Sequence, residues 1–344
     1  MRTALITGIS GQDGAYLAQA LLDKGYNVVG THRRTSDTNF WRLQELSLVD
    51  HPRLSLVRHD VTDLSSAIRL IERVQPNEIY NLAAQTHVGD SFELPLITAQ
   101  STGVGTLCML EAIRQTEGRV RFFQASSAEM FGGSQSTKQS ETTPFAPKSP
   151  YGAAKAFAHH MTVNYREAYG IFASTGILFN HESPLRGLSF VTRKITDAVA
   201  RIELDLMPVL ELGNLEARRD WGYAKEYVEG FWLTLQADAP GDFVFASGRS
   251  TTVREFASEA FKAAGIDLEW QGLSEEEVGY CERAGRPLVR VNRALFRPAE
   301  VNFLCGDFSN ASSALGWRPG TAVNAICRMM LERDRQRVLK GERT

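Results

Sequence analysis

The chain has 344 residues, of which 43% are hydrophobic, and its 38 basic and 40 acidic side chains leave a net charge of −2 at pH 7. This length suits about two domains, and the balanced charge gives no general attraction for nucleic acid or for an acidic membrane surface. The amino terminus lacks a signal-peptide pattern, and no uninterrupted apolar run reaches the ~18 residues of a membrane span, so we expect a cytoplasmic protein. The four cysteines show neither metal-ligand nor disulfide spacing, so we expect no metal site.

In the first half of the chain, β-rich runs alternate with helical patterns. The predicted strands are residues 3–7, 26–31, 54–59, 78–82, 120–125 and 173–179, and the predicted helices are residues 16–24, 64–74, 106–115 and 151–169. Strands and helices that alternate at this spacing predict a parallel sheet covered on both faces. We therefore expect an α/β fold with a doubly wound, Rossmann-like parallel sheet.

Beyond residue 180 the alternation loosens. Turn formers and arginines become frequent there, which favours a smaller, loop-rich α/β domain that binds a charged ligand. We predict a dinucleotide-binding domain over residues 1–179, with later returns near 215–245 and 305–330, and a mainly substrate-binding domain over 180–344.

The segment TGISGQDG follows the first strand and precedes the first helix. Gly8, Gly11 and Gly14 give it a GxxGxxG spacing, and glycines in this position let the backbone approach a pyrophosphate. We assign the segment to a dinucleotide cofactor, together with its polar members Ser10, Gln12 and Asp13.

The residues after the second predicted strand indicate which dinucleotide is bound. NAD-binding proteins commonly place a carboxylate there, whereas NADP-binding proteins place arginine against the extra phosphate. This chain has Arg33, Arg34 and Ser36 and no carboxylate before Asp37. Planar guanidinium groups match phosphate oxygens in pairs, so we predict NADP. The alternative is an ordinary solvated basic loop.

A second motif, YGAAK, places Tyr151 and Lys155 four residues apart on one face of a helix. We expect the ammonium group of Lys155 and the positive ring of an oxidised nicotinamide to lower the pKa of the Tyr151 phenol toward neutrality. Tyr151 then takes the proton of a sugar hydroxyl as hydride leaves the same carbon. Ser127, at the end of the fifth predicted strand, is expected to hydrogen-bond the same oxygen.

Glu129, two residues after Ser127, indicates more than oxidation and reduction. A carbonyl acidifies the neighbouring C–H bond, so a carboxylate at this place can remove that proton while a β-hydroxyl leaves as water. The alternative is a charged side chain that faces solvent at a strand end.

With these residues the chain resembles the extended short-chain dehydrogenase/reductase superfamily and, within it, the GDP-mannose 4,6-dehydratase family. The resemblance also rests on long stretches such as EIYNLAAQTHV, ETTPFAPKSPYGAAK and GILFNHESPLRG. The resemblance runs almost end to end. It implies oxidation of the sugar at C4, loss of water across C5 and C6, and return of the hydride to C6. The family motif Thr-Ser-Glu stands here as Ser127, Ala128 and Glu129, so one hydroxyl is lost beside the sugar.

The resemblance also implies further site residues. Those assigned to NADP are Asp60, Val61, Leu82, Ala83, Ala84, His181 and Arg186, and Tyr151 and Lys155 are expected to contact the cofactor as well. Those assigned to the GDP-sugar are Asn180 at the sugar, Arg219 and Arg297 at the diphosphate end, and Lys194 and Glu300 around the guanosine. A buried ion pair between Arg297 and Glu300 is the alternative interpretation of those two side chains.

Three other functions stay open from the sequence. A GDP-manno-heptose dehydratase would use the room left by Ala128, a sugar-nucleotide epimerase or reductase would share the Tyr151 and Lys155 pair, and a non-catalytic NADP sensor would need neither. The resemblance further implies a homodimer or tetramer.

Overall fold

The computed structural model describes residues 1–34, 39–116, 119–296 and 299–342. Two of the predicted site residues, Ser36 and Arg297, lie outside the described residues. The remaining predicted site residues are all described.

In these ranges the strands are β1 (Thr3–Thr7), β2 (Asn27–His32), β3 (Leu54–Arg58), β4 (Glu78–Asn81), β5 (Arg121–Ser127), β6 (Ala173–Leu178), β7 (Asn180–Glu182), β8 (Leu210–Leu212), β9 (Arg218–Arg219), β10 (Trp221–Tyr223), β11 (Asp242–Phe245), β12 (Thr251–Thr252), β13 (Glu269–Gln271), β14 (Val278–Cys281) and β15 (Arg286–Val291). The α-helices are α1 (Gln12–Asp23), α2 (Trp41–Glu45), α3 (Leu64–Val74), α4 (Val88–Glu93), α5 (Pro95–Thr98), α6 (Gly105–Gln115), α7 (Pro150–Tyr169), α8 (Val191–Glu203), α9 (Ala224–Gln236), α10 (Val253–Ala263), α11 (Ser309–Leu315) and α12 (Val323–Lys340).

A seven-stranded parallel sheet forms the centre of the larger lobe, in the order β11-β6-β5-β4-β1-β2-β3. The predicted doubly wound fold is therefore confirmed. The strand order reverses between β1 and β4, and ligands in such sheets bind beyond the carboxyl ends of the strands at this switch point. That edge carries the glycine-rich turn after β1 and the residues that follow β4 and β5.

The smaller lobe is built on a four-stranded sheet in the order β13-β14-β15-β8. Helices α8, α10 and α12 enclose its apolar core, in which Ile195, Phe256 and Met330 are fully buried. The chain crosses between the lobes more than once. After β10 it returns to the large sheet with α9 and β11, and Trp317 also packs in the core of the larger lobe.

One predicted helix begins earlier than the sequence pattern indicates. Helix α5, a π-helical stretch over Ala99–Val104 and α6 form a continuous helical segment from Pro95 to Gln115. The segment has 21 residues, and an 18-residue stretch within it has a mean hydropathy of 1.2, so by length and composition alone it could cross a membrane. Half of the apolar window is buried inside the molecule, as in the core helix of a globular protein. That the protein has no membrane partner stays a prediction.

Helices α8 and α12 are joined by two ion pairs in different surroundings. Asp334 is fully buried and accepts hydrogen bonds from Arg193 at 2.6 Å and Arg337 at 3.1 Å, whereas Glu203 pairs with Arg335 at a site about one-third exposed. Removing one partner of a buried ion pair leaves an unpaired charge in the interior and strongly lowers the stability of the fold. An exposed pair contributes little, because solvent screens its charges.

We therefore expect Asp334→Ala to lower the free energy of unfolding by about 3–5 kcal/mol, because the buried guanidinium group of Arg193 loses its carboxylate. Arg337 keeps its ion pair with Glu45. The matched variant Glu203→Ala, on the same helix pair, should cost about 1 kcal/mol or less. Urea unfolding of both variants measures the difference. Equal losses would contradict the assignment of Asp334 as the charge that joins α8 to α12.

Candidate active site

The end of β5 and the start of α7 bring the predicted catalytic residues together. Strand β5 ends at Ser127 and a 3₁₀ turn over Ala128–Met130 follows, in which the Ser127 hydroxyl accepts a hydrogen bond from the Glu129 N–H at 3.2 Å. Helix α7 begins one residue before Tyr151, because Ser149 caps it by accepting from the Gly152 N–H at 3.0 Å and Pro150 fits the first helical position.

Gly152 sets the distance between these two segments. A Cβ atom at this position would lie 2.6 Å from the carbonyl oxygen of Glu129. The first turn of α7 therefore lies directly against the backbone of Glu129. Only a glycine permits this approach, and the approach places Tyr151 beside Ser127 and Glu129.

Burial shifts the pKa values of both Tyr151 and Lys155. Burial, and secondarily the nearby charge of Glu129, raises the pKa of Tyr151 to about 12, against the opposing influence of the Ser127 hydroxyl. Lys155 points its Nζ at the carbonyl oxygen of Ala125, 2.6 Å away, and burial lowers its pKa to about 8. The prediction combined Lys155 with the positive ring of a bound nicotinamide, so it stays a prediction. In the protein by itself, burial of both groups leaves the phenol protonated.

The glycine-rich turn is tightly packed against the ends of β1 and β4. Gly8 has a φ of +74°, and a Cβ atom there would lie 3.0 Å from the main chain of Ala83. A Cβ atom on Gly14 would lie 2.5 Å from the carbonyl oxygen of Gly8. Gly11 precedes α1 without any side-chain cap, so the N–H groups of the first turn remain suited to an anion. The turn fits the pyrophosphate of a dinucleotide.

Two polar residues of this turn reach across to β7. His181 places Nε2 2.9 Å from the Asp13 carboxylate and Nδ1 2.7 Å from the carbonyl oxygen of Phe179, and its ring stacks on Tyr227. Burial opposes charge on both partners, but their mutual attraction prevails, raising the pKa of His181 and lowering that of Asp13 to about 2. Gln12 also donates to the His181 carbonyl oxygen at 3.1 Å. The predicted cofactor residues from the two halves of the chain therefore meet here.

The predicted adenosine side lies along the neighbouring strand ends. Arg33 and Arg34 follow β2 and are exposed, and Asp60 follows β3. Burial opposes the shift, yet two hydrogen bonds from Thr62 and the charge of Arg33 lower the pKa of Asp60. Arg33 is therefore close to Asp60. The other predicted residues of this side also follow strands β3 and β4, namely Val61, Leu82, Ala83 and Ala84.

A cavity of about 480 Å³ lies between the lobes. Its walls include these predicted residues: Asp13, Leu82, Ser127, Glu129, Tyr151, Lys155, Asn180, His181, Arg186, Lys194, Arg219 and Glu300. All four predicted catalytic residues and every described substrate residue thus share one space. Glu129 is 8% exposed, so it belongs to this cavity and not to the outer surface.

The substrate end shows a pairing that the sequence does not reveal. Arg219 donates from Nη2 to Glu300 at 2.9 Å and from Nη1 to the Val301 carbonyl oxygen at 2.6 Å. Glu300 therefore pairs with Arg219, while its suggested partner Arg297 is outside the described ranges. Lys194 lies in the same wall, where burial lowers its pKa and the charge of Glu211 opposes this.

Sequence reasoning missed His87, which also lines the cavity. Its Nε2 lies 3.3 Å from the carbonyl oxygen of Ser189 and its Nδ1 lies 2.7 Å from Asp90. His87 thus connects the loop after β4 to the segment before α8. The sequence signal that could have indicated His87 was its position in QTHV, shortly after the end of a predicted strand.

Comparison with known proteins decides the family. The family model for GDP-mannose 4,6 dehydratase matches residues 5–330. The chain belongs to this family. It is 51% identical over 338 residues to a GDP-mannose 4,6-dehydratase of Sinorhizobium fredii, covering 97% of this chain and 96% of that protein. It is 49% identical over 337 residues to the human GDP-mannose 4,6 dehydratase, covering 96% and 91%.

The fold is shared more widely. DesIV, a dTDP-glucose 4,6-dehydratase from Streptomyces venezuelae solved with NAD bound, superimposes with a TM-score of 0.82 over 98% of each chain, at 23% sequence identity. At this identity the likeness shows the fold alone.

We expect Gly152→Ala to lower kcat by about a hundredfold, because a misplacement of α7 by an ångström separates Tyr151 from Glu129. Gly320→Ala is the control, since the nearest atom to its added Cβ is the flexible end of Glu226 at 3.3 Å. Turnover at saturating substrate, with thermal unfolding to verify folding, measures both. A folded Gly152→Ala protein with the wild-type kcat would show that catalysis does not need the close approach of α7 to the backbone of Glu129.

Proposed function

We propose that this protein dehydrates GDP-D-mannose to GDP-4-keto-6-deoxy-D-mannose, with NADP as its hydride carrier. The observation that supports this most strongly is the presence of Tyr151 and Glu129 in one cavity with Lys194 and Glu300 from the other lobe. That arrangement supplies two proton-transfer groups at one end and nucleotide-binding groups at the other. The relatives with about half of their residues identical carry the name of this activity.

The first step is oxidation at C4 of the mannosyl ring. Tyr151 accepts the proton of the C4 hydroxyl, and Ser127 hydrogen-bonds the same oxygen. When bound, the oxidised nicotinamide supplies the hydride acceptor and a positive charge. Such a charge is what Tyr151 needs, because burial by itself keeps the phenol protonated.

The second step is loss of water. The new C4 carbonyl acidifies the C5–H bond, and Glu129 takes that proton and gives it to the departing C6 hydroxyl, which leaves as water. The hydride removed from C4 is then returned to C6, and C5 receives the exchangeable proton that Tyr151 took from the C4 hydroxyl. The balance is one water lost and no net oxidation, so no external reductant is required.

The competing epimerase or reductase activity needs no second base. The burial of Glu129 within the cavity therefore favours the dehydratase. The manno-heptose alternative shares all of this chemistry and differs only in the room beside C6.

We expect Glu129→Gln to exchange hydride with GDP-mannose but to form less than about a hundredth of the wild-type dehydrated product, because an amide cannot accept the C5 proton. Mass spectrometry detects the product as lighter by one water, and Glu276→Gln, at an exposed site of the smaller lobe, is the control. Dehydration by Glu129→Gln at the wild-type rate would exclude Glu129 as the base. Parallel assays of wild-type protein with GDP-manno-heptose decide between the two sugars.

The choice of NADP rests on Arg33 and Arg34 at the end of β2. Both side chains are exposed and follow the strand that borders the predicted adenosine side. We expect the double variant Arg33→Ala, Arg34→Ala to weaken NADP binding by about a hundredfold and NAD binding by less than about threefold, because two charge-assisted contacts to phosphate are lost. Fluorescence titration measures both. Equal losses would show that these arginines do not bind the phosphate.

We also propose a homodimer in the cytoplasm. Helical segment 95–115 and α7 leave apolar side chains exposed on neighbouring surfaces, with Leu96 76%, Val104 43% and Phe157 42% exposed. A Cβ atom on Gly103 would lie 3.1 Å from the Phe157 ring, so the two helices are closely packed at this surface. Exposed apolar patches of this kind favour association with a second copy.

The variant Leu96→Glu, Phe157→Glu should run as a monomer in size-exclusion chromatography with light scattering, because two charges would be buried in the interface. Leu339→Glu, at a 71% exposed leucine on α12, is the control and should leave the assembly unchanged. A double variant with the wild-type mass would place the interface elsewhere.

A further inference from the structure

Arg42, on the short helix α2, contacts both sides of the candidate cofactor site. Its Nη1 donates to the carbonyl oxygen of Ser10 at 3.0 Å, and its Nε donates to the carbonyl oxygen of Leu185 at 2.7 Å. Ser10 belongs to the glycine-rich turn, and Leu185 precedes Arg186. One rigid guanidinium group therefore joins two backbone segments that are more than 170 residues apart in the chain.

The surroundings of Arg42 are unfavourable for a positive charge. Burial lowers its pKa to about 10, and the charges of Arg186 and Arg193 add to this. Among the described residues, no carboxylate lies within ion-pair distance of it. The compensating contacts are the two carbonyl oxygens and the face of Trp41, whose ring centre lies 4.4 Å from the Arg42 Cζ.

Other contacts hold neighbouring parts of the same two segments. Arg193 donates to the Arg186 carbonyl oxygen at 2.6 Å, and Gln12 donates to the His181 carbonyl oxygen. Arg193 holds only the segment that contains Arg186. Gln12, in the first turn of α1, also accepts from the Ser183 hydroxyl at 2.7 Å and so joins α1 to that segment. Arg42 instead holds the turn before that helix, at Ser10, which directly precedes Gly11.

We propose that Arg42 is a positioning residue that fixes the spacing between the glycine-rich turn and the Leu185–Arg186 backbone, and so shapes the site for the dinucleotide. The expected effect of Arg42 on NADP binding rests on the proposed function. The expected effect of Arg42 on the two backbone segments does not depend on that function. Because the role needs two donors in a fixed geometry, lysine cannot replace arginine here although it keeps the charge.

The test uses Arg42→Lys and Arg42→Gln in the full chain. Both should raise the Kd for NADP about tenfold or more, the loss expected when hydrogen bonds of a charged group are removed. Both should keep kcat at saturating NADP within about threefold of wild type, since Arg42 does not touch the reacting atoms. In the cofactor-free protein, amide hydrogen exchange should become faster in residues 8–14 and in residues 183–190 together.

Two further variants separate this role from general damage. Trp41→Leu removes the ring that lies against Arg42 and, at a greater distance, against Arg193 and Arg337, and it should speed exchange in the same two segments to a smaller extent. Arg53→Gln is the matched control, because Arg53 also donates to a backbone carbonyl, that of Leu22 at 2.8 Å, near the other end of α1. It should change neither NADP binding nor exchange in the two segments.

The proposal is overturned if Arg42→Lys binds NADP as wild type does, since charge alone would then suffice. It is also overturned if exchange becomes faster in neither segment or in one only. Should wild-type protein itself fail to bind NADP, the proposed function fails, and the exchange data by themselves decide whether Arg42 joins the segments.

Discussion

The active-site arrangement depends on the close approach of helix α7 to the end of β5. Gly152 lies against the carbonyl oxygen of Glu129, so a phenol on the helix and a carboxylate on the strand end are held on the same side of the cavity. The sheet supplies one partner and the helix N-terminus supplies the other. A helix displaced outward by a single methyl group would still carry Tyr151 and Lys155, but no longer beside Glu129, the base proposed for the loss of water.

The electrostatics of this site are set by the burial of Tyr151 and Lys155 and by the pairing of Asp13 with His181 at its edge. Burial keeps the Tyr151 phenol protonated and lowers the pKa of Lys155 to about 8, so the phenol does not ionise near neutral pH without a further positive charge beside it. Asp13 would repel a pyrophosphate at the nearby turn, but its pairing with His181 compensates that charge. The two lobes that line the cavity are thus also joined beside the glycine-rich turn, by Asp13 from one and His181 from the other.

Much of this could be predicted from the sequence, because the signals are local. The alternation of strands and helices gives the parallel sheet, and GxxGxxG and YGAAK follow strand ends and helix starts at fixed spacing. Contacts between distant segments were not predictable. The pairing of Arg219 with Glu300, the contacts of His87 and Arg42, and the direction of the Tyr151 pKa shift all depend on burial and on segments that meet only in the folded chain.

The central claim is that oxidation, elimination and reduction of one sugar occur in a single cavity, with Tyr151 and Glu129 transferring the protons. Incubation of wild-type protein with GDP-mannose that carries deuterium at C4 tests it most directly. The account predicts that the 4-keto-6-deoxy product retains this deuterium at C6, with a solvent hydrogen at C5, as read by NMR. Loss of the deuterium from the sugar, or its appearance in added free NADP, would contradict the account.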